Sequence, residues 1–297
     1  MNHRYLYLLV VLLGMVMIGC ESDFVDGVKV DDTKSESANG SVITMVTHRT
    51  DGIISLSIDS PAQDRYGVWV DLDGDGKRAE DGSEEVSVFN SYQEYTLAAG
   101  VKTVTVHGDI TYLGAASNEL AEIDVSGNPL LTTLNMSLNN IKVIDLSANT
   151  ALERLDVSDN NIASLNVSTN SALESLWVFN NQLSTLELSN NINLSFLDCS
   201  GNALSTLDVS KNVELVRLLC YNNQLTALDV ERNIKLSHLW SFGNRMSEIE
   251  MESLISTLRS VAGGDLWLSI EPLGEAMQAS ASKKGWTVQC LTQILIT

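Results

Sequence analysis

The sequence predicts a mainly β fold: a solenoid of stacked coils over residues 109–251, preceded by a small antiparallel β-sandwich-like domain and closed by a short α/β cap. Three series with a period of 21 residues lead to this prediction. The first is Leu134, Leu155, Leu176, Leu197, Leu218 and Leu239. The second follows it as Asn139, Asn160, Asn181, Asn202, Asn223 and Asn244. The third, half a period later, is Ile144, Leu165, Leu186, Leu207, Leu228 and Ile249.

Within one period the order is L-x-x-L-x-L-x-x-N, the signature of the leucine-rich repeat. A single coil cannot bury its own apolar residues, so neighbouring coils stack and bury equivalent residues against one another. Both halves of the period alternate inward and outward residues, which is the pattern of a β-strand. We therefore expect two parallel sheets on opposite sides of a flattened coil. A second asparagine series with the same period is Asn128, Asn149, Asn170, Asn191, Asn212 and Asn233. The asparagines of both series are expected to hydrogen-bond buried backbone groups at each turn, the alternative being solvated turn residues.

The residues between the leucines narrow the resemblance to one subclass of leucine-rich repeats. The stretch LDCSGNALSTLDVSKNVEL, residues 197–215, resembles the nested 10+11 subclass of bacterial leucine-rich repeats. This subclass is familiar from secreted and surface-anchored bacterial proteins, so the resemblance implies an exported protein of that kind.

The N-terminus predicts export and a lipid anchor. Residues 1–20 have a short basic start, an apolar run too short to span a bilayer as a folded helix, and the ending Met17-Ile18-Gly19-Cys20. This ending resembles the lipobox of bacterial lipoproteins, which implies a lipid on Cys20; the alternative is an ordinary signal peptide with an incidental cysteine. Residues 21–40 are acidic and serine-rich, as expected of a flexible tether. The protein is thus expected to be anchored by a lipid to the outer membrane of a bacterium and to be exposed at the cell surface.

The net charge limits the class of partner, and the positions of the cysteines bear on disulfide formation. The formal net charge of −20 at pH 7 argues against nucleic acid as a partner. Cys199 and Cys220 occupy equivalent inward positions of adjacent coils. They are expected to be small core residues, because neighbours in register on parallel strands seldom have disulfide geometry; a bond between them is the alternative.

Both flanking segments lack the period. Residues 41–108 contain short alternating runs separated by turns, as in an antiparallel sandwich, and the last of these strands is expected to cover the first coil. In the cap, residues 252–297, we expect a helix ending at Gly263, a strand at LWLSI, a second helix over residues 275–284 and a closing strand at GWTVQC. The order of the N-terminal runs and the ending KGWTV resemble the corresponding modules of repeat-bearing bacterial surface lipoproteins.

A candidate calcium loop lies in the N-terminal domain. Asp71, Asp73 and Asp75 before Gly76 match the first half of a loop whose oxygens converge on one ion. The position of the bidentate glutamate holds a glycine instead. The remaining candidate ligands are Lys77, Asp81 and Glu84. A structural calcium ion and a solvated acidic turn are the two interpretations, and no other cofactor is expected.

Catalysis finds little support in the sequence. His48, His107 and His238 are not spaced as metal ligands, and the motifs of nucleophilic or phosphate chemistry are missing. An acidic series that includes Asp208 recurs in nearly every coil and is therefore interpreted as a solvated face. We expect a protein that is not an enzyme.

The outward positions of the first strand row differ sharply from that acidic series. The candidate ligand-binding residues are Arg154, Trp177, Phe179, Phe196, Arg217, Tyr221, His238, Trp240 and Phe242. Exposed aromatic residues often mark binding surfaces, although neighbouring rings can simply cover one another. The sequence therefore predicts a cell-surface protein that binds a protein or a glycan through this face. The alternative is an accessory glycan-binding protein of an outer-membrane saccharide uptake system.

Overall fold

A computed structural model of the protein describes residues 41–269 and 271–290. Cys20 and the predicted segments 1–20 and 21–40 lie outside the described residues. The described strands are β1 (Val42–Thr47), β2 (Ile53–Asp59), β3 (Trp69–Asp71), β4 (Tyr92–Thr96), β5 (Thr103–His107), β6 (Tyr112–Gly114), β7 (Leu120–Asp124), β8 (Thr133–Asn135), β9 (Arg154–Asp156), β10 (Ser175–Trp177), β11 (Phe196–Asp198), β12 (Arg217–Leu219), β13 (His238–Trp240), β14 (Gly264–Ser269) and β15 (Trp286–Cys290). The described α-helices are α1 (Glu248–Thr257) and α2 (Glu275–Lys283), and a short 3-10 helix spans Arg65–Gly67.

These strands form a four-stranded sheet in the order β3-β5-β1-β7 and an eleven-stranded sheet in the order β15-β14-β13-β12-β11-β10-β9-β8-β6-β2-β4. The N-terminal part packs as the expected antiparallel arrangement. Its contact with the first coil differs from the prediction: β2, and not the last strand β5, pairs with β6 of the first coil. Because β2 is antiparallel and β6 begins the parallel stack, the long sheet crosses the predicted boundary at residue 108 without a break.

The parallel stack follows the leucine period. Leu197 pairs in register with Leu176 on one side and with Leu218 on the other. All three side chains are fully buried. The same core contains Cys199 and Cys220, which are buried free thiols. The mainly β solenoid and the inward role of both cysteines are thus confirmed.

The second predicted parallel sheet does not form within the described residues of the coils. The backbone of that side explains the difference: the carbonyl of Leu188 accepts from the amide of Asn191 in its own coil at 3.0 Å, as in a turn, instead of from a backbone amide of the next coil. The outward acids also hold backbone amides two residues ahead. Glu187 accepts from the amide of Ser189 at 2.9 Å, and Asp208 accepts from that of Ser210 at 2.8 Å. The acidic series therefore closes turns and is not a sheet face.

Two asparagine ladders hold the coils together, as predicted. In one, the Nδ2 of Asn191 donates to the carbonyls of Val167 and Asn170 in the preceding coil, both at 2.9 Å. In the other, the Oδ1 of Asn202 accepts from the amide of Leu183 at 2.9 Å. Because backbone carbonyls buried at a turn need donors, each rung satisfies groups that the strands leave unpaired.

The C-terminal cap continues the long sheet through β14 and β15. Helix α1 begins earlier than predicted, at Glu248 after the N-cap Ser247, and ends at Thr257 before the expected stop at Gly263. At the C-terminal end of α1, the Nζ of Lys284 donates to the carbonyls of Ile255, Ser256 and Leu258, the last at 2.8 Å. The predicted second helix and closing strand are confirmed. Among the described residues, no helix combines the length and the apolar composition needed to cross a membrane.

Candidate functional site

The outward side of β9–β14 carries most of the aromatic rings predicted as binding residues. We call this surface the aromatic face, defined by Trp177, Phe179, Phe196, Tyr221, Trp240, Phe242 and Trp267. In each strand the outward residues flank a buried leucine, as in Ser175-Leu176-Trp177. Parallel strands lie about 4.8 Å apart, so side chains in register form continuous rows across the face.

Four rings pack together at the C-terminal end of the aromatic face. Tyr221 and Phe242 are stacked with centroids 4.7 Å apart, and Trp240 and Trp267 lie at 5.2 Å. Tyr221 and Phe242 are only 6% and 4% exposed. The sequence placed both rings on an open surface; in the structure their neighbours cover them, so a ligand would meet mainly the partly exposed rings of Trp240 and Trp267.

Asp265 fixes the two indoles of this cluster. Its carboxylate accepts from the Nε1 of Trp240 at 2.8 Å and from the Nε1 of Trp267 at 2.9 Å. Neither Asp265 nor Trp267 was predicted as a site residue, because α1 lengthens the step from Trp240 to Trp267 to 27 residues. The pair Leu239-Trp240 does recur as Leu266-Trp267, and this was the available signal.

The N-terminal end of the aromatic face is more open. The rings of Trp177 and Phe196 lie 4.8 Å apart at a tilt of 34°, and both are partly exposed. Phe179 lies two residues beyond Trp177 on the same side and is also partly exposed. This end therefore offers ring surface to a ligand.

The predicted basic residues lie at one in-register position of the strands, where Ser175 and Phe196 separate Arg154 from Arg217 and His238. Arg154 lies 3.8 Å from a carboxylate oxygen of Glu153 and 3.9 Å from one of Glu174, in exposed surroundings. Exposed ion pairs at such distances contribute little, so this guanidinium is accessible to a ligand. Arg217 is exposed and pairs in register with His238.

The imidazole of His238 lies at the same in-register position. Its Nδ1 lies 2.9 Å from the Oγ of Ser237. Burial lowers the pKa of His238, and the charge of Arg217 lowers it further, against the opposing effect of Asp265. The ring is therefore mainly neutral at pH 7.

Three aspartates accompany Trp177, and the sequence analysis missed them. Asp156 and Asp198 are the in-register neighbours of Trp177 on β9 and β11, and Asp159 follows β9. Burial raises the pKa of Asp156 and of Asp159, and it raises the pKa of Asp198 to about 7. In the sequence these three aspartates look like any other polar outward residues. Their burial by neighbouring side chains is visible only in the structure.

The predicted calcium loop brings together only part of its candidate ligands. Carboxylate oxygens of Asp71, Asp73 and Glu84 lie within 4.8 Å of one another, and Asp71 and Glu84 are buried. The other candidates lie apart from this group. Asp75 accepts from the amide of Lys77 at 2.7 Å, and Asp81 accepts from that of Ser83 at 2.9 Å.

Away from the aromatic face, an open cavity of about 1010 Å³ lies beside the end of α1, lined by residues that include Glu231, Ile234 and Lys284. The ammonium of Lys284 already donates to three backbone carbonyls. This cavity therefore offers a ligand no free charged group at Lys284, and we regard the aromatic face as the better candidate site.

Comparison with known proteins supports the fold. No family model matches the chain. No curated protein is similar to it at a significant level. Among solved structures, internalin C2 from Listeria monocytogenes is similar with 20% identity and a TM-score of 0.50, over 61% of this chain and 80% of that one. Together with the parallel sheet, this similarity shows a leucine-rich-repeat solenoid.

Two further solved structures from Listeria monocytogenes are similar over a smaller share of their length. The functional domain of InlJ, which includes a cysteine ladder, has 30% identity and a TM-score of 0.45 over 60% of this chain and 45% of that one. The internalin InlF has 24% identity and a TM-score of 0.49 over 58% of this chain and 52% of that one. The chain thus spans about half the length of these two structures.

Proposed function

We propose that this protein is a non-enzymatic cell-surface binding protein whose aromatic face contacts a protein partner. One observation carries the proposal: the two sides of the same coils differ in chemistry. The sheet side presents partly exposed rings, among them Trp177 and Phe196, whereas the opposite side presents acids that close turns, such as Glu187. Burial of the leucines stabilises both sides alike, so stability does not account for rings on one side only. Partly exposed aromatic residues beside arginines are typical of binding surfaces.

The test removes one ring at a time. In the mature chain, Trp177→Ala and Trp240→Ala are expected to weaken partner binding by ~1–3 kcal/mol each, as aromatic anchors do. The matched controls are Glu187→Ala and Asp208→Ala on the opposite side. Partners would be sought by cross-linking to bacterial and host surface proteins, and affinities measured with the purified partner. Unchanged affinity in both tryptophan variants would remove the proposed site.

A second candidate is an accessory glycan-binding protein that delivers saccharides to an outer-membrane uptake system. The observation that favours it is the partly exposed indole of Trp177 beside the partly exposed carboxylate of Asp156, because a sugar ring can stack on an indole while its hydroxyls donate to acids. A glycan array probed with the mature chain separates the two candidates. Saccharide binding that Trp177→Ala abolishes would favour this second function over a protein partner.

We also propose a lipid anchor on Cys20, which rests on the lipobox motif of residues 17–20. The anchor would place the solenoid at the surface of the outer membrane with residues 21–40 as a tether. Cys20→Ser is expected to block processing of the signal peptide and to release the protein from the membrane fraction. If the variant partitions like the unmodified protein, the anchor proposal is wrong.

A structural calcium ion is proposed for the loop at Asp71, Asp73 and Glu84. Calcium takes oxygen ligands at about 2.3–2.6 Å, so oxygens within 4.8 Å of one another can share one ion. Two of these carboxylates are buried, and a divalent cation would compensate their charge. The ion would hold β3 to the segment that contains Glu84.

A further inference from the structure

Trp177 lies between two carboxylates in the register of the parallel sheet. Its in-register neighbours are Asp156 on β9 and Asp198 on β11. Adjacent parallel strands are about 4.8 Å apart, so each acid stands one strand spacing from the indole, on opposite sides. The register places all three on the side of the sheet opposite the buried leucines; Asp156 and Trp177 are partly exposed there, whereas Asp198 is buried among its neighbours. One indole with an acid on each side is therefore a defined unit of the aromatic face.

Neutral donors, and not basic side chains, contact these acids. One carboxylate oxygen of Asp156 accepts from the amide and hydroxyl of Ser158, at 3.0 and 2.6 Å. Asp198 makes the same pair of contacts with Ser200, at 3.0 and 2.6 Å. The nearby Asp159 accepts from the Nδ2 of Asn180 at 2.8 Å.

The basic residues of the face leave these charges uncompensated. None of the ion pairs found in residues 41–269 and 271–290 includes Asp156, Asp159 or Asp198. Arg154 approaches glutamates instead.

The carboxylate of Asp198 is the most costly of these charges to keep ionised. Asp198 is 7% exposed. Burial raises its pKa to about 7, and the negative charges of Asp156 and Asp159 add to this effect. A buried charge is stabilised when an opposite charge is brought next to it. The free protein holds acids that favour a cation at this position.

We infer that the unit of Asp156, Trp177 and Asp198 receives a lysine or arginine side chain of the protein partner. This inference deepens the proposed function and rests on it. A cation over the indole gains a cation–π contact, which is effective within about 6 Å of the ring. In that place it also lies about one strand spacing from each acid, so its positive charge stabilises both carboxylates. A neutral saccharide would leave that charge uncompensated, so charge complementarity favours a basic protein segment.

The test uses the mature chain and short peptides of defined charge. The probe is an acetylated tri-lysine amide, measured by calorimetry and compared with the same peptide carrying acetylated side-chain amines. Asp198→Asn and Asp156→Asn remove one charge each and keep the side-chain shape. Asp208→Asn is the matched control, because Asp208 contacts Ser210 as Asp198 contacts Ser200 but lies on the opposite side of the coil.

We expect Asp198→Asn, Asp156→Asn and Trp177→Ala each to weaken tri-lysine binding by ~10-fold or more, because each removes one side of the cation's surroundings. Asp208→Asn should change the affinity for tri-lysine by less than about twofold. The control peptide, whose side-chain amines are acetylated, should not bind measurably. Equal weakening by Asp198→Asn and Asp208→Asn would show general attraction to an acidic protein and overturn the inference. Equal binding of the peptide with acetylated side-chain amines would also overturn the inference.

The same variants separate this inference from the proposed function. If Trp177→Ala weakens binding of the purified partner while both aspartate variants bind normally, the aromatic face stands and the cation position is wrong. If Trp177→Ala and Trp240→Ala both leave partner binding unchanged, the proposed function itself fails. A saccharide that binds at Trp177 independently of both acids would also overturn the inference. Urea midpoints of all variants identify any variant that does not fold. If one aspartate variant does not fold, the other still tests the inference.

Discussion

Asp265 on β14 accepts a hydrogen bond from the indole of Trp240 on β13 at 2.8 Å, and so ties the last coil of the solenoid to the first strand of the cap. The same carboxylate holds the indole of Trp267 at 2.9 Å. One acid thus orients both large rings at the C-terminal end of the aromatic face.

Replacing this acid should loosen that end of the face. Asp265→Ala leaves both indole N–H groups without their acceptor, and we expect a loss of about 1–3 kcal/mol in the free energy of unfolding. Asp265→Asn keeps one acceptor oxygen and should lose less. Urea unfolding followed by tryptophan fluorescence measures both. An alanine variant as stable as the unmodified protein would show that the rings are held by packing alone.

The repeat core predicts a large difference between inward and outward positions. Leu197→Ala should lower the free energy of unfolding by about 2–5 kcal/mol, because Leu197 is fully buried between Leu176 and Leu218. Ser205→Ala, at an exposed position of the same coil, should change it by less than about 0.5 kcal/mol. Similar losses from both variants would contradict the assigned register.

The asparagine ladder predicts a comparable asymmetry between neighbouring residues. Asn191→Ala removes the donor that reaches the buried carbonyls of Val167 and Asn170, and should cost about 1–3 kcal/mol. The control is Asn190→Ala, because the side chain of Asn190 donates to the carbonyl of Ser168 in exposed surroundings. Urea midpoints compare the two; a larger loss from the control would rule out the ladder as the main tie between coils.

The period of the sequence predicted the inward side of the coils far better than the outward side. Leu197 could be placed because burial repeats every 21 residues, and its neighbours in register follow by arithmetic. The second sheet was predicted wrongly for a local reason. Alternation at Glu187 and Leu188 shows which residues point inward, but it does not show that the carbonyl of Leu188 is taken by the amide of Asn191 in the same coil.

The candidate site was predicted only in part, since its properties depend on neighbours that are distant in sequence. Asp198 appears as an ordinary polar outward residue until the covering side chains around it are known. Tyr221 appears exposed until Phe242 is seen stacked on it. Trp267 lies outside the period, because α1 is inserted between β13 and β14.

The proposed calcium site predicts a specific thermal response. If calcium binds only the folded protein, millimolar calcium should raise the melting temperature of the mature chain by mass action. Asp73→Ala removes one of the three converging carboxylates and should abolish the response. Asp81→Ala is the control, because its exposed carboxylate lies outside that group and caps Ser83. No response in the unmodified protein, measured against a chelator, would leave the loop as an acidic turn.

Asp198 predicts a fall in stability as the pH rises. Its pKa is raised from an ordinary value of 3.8 to about 7 by burial, so the folded protein binds more protons than the unfolded protein between these two values. The free energy of unfolding therefore decreases as the pH rises through that window, and the contribution of the protonated carboxyl is fully present only below it. Asp156 and Asp159 are shifted in the same direction, so only the difference from a single variant isolates Asp198.

That variant is Asp198→Asn, which is neutral at every pH. From pH 5 to pH 8 the unmodified protein should lose on the order of 1–3 kcal/mol relative to this variant, as judged from urea midpoints. Asp208→Asn is the matched control: a backbone hydrogen bond from Ser210 lowers the pKa of Asp208, so its titration is complete below this range. Identical pH profiles for the unmodified protein and Asp198→Asn would mean that the carboxyl of Asp198 is solvated and titrates normally. The charge beside Trp177 would then cost the folded protein little, and the case for a basic side chain at that position would lose its energetic basis.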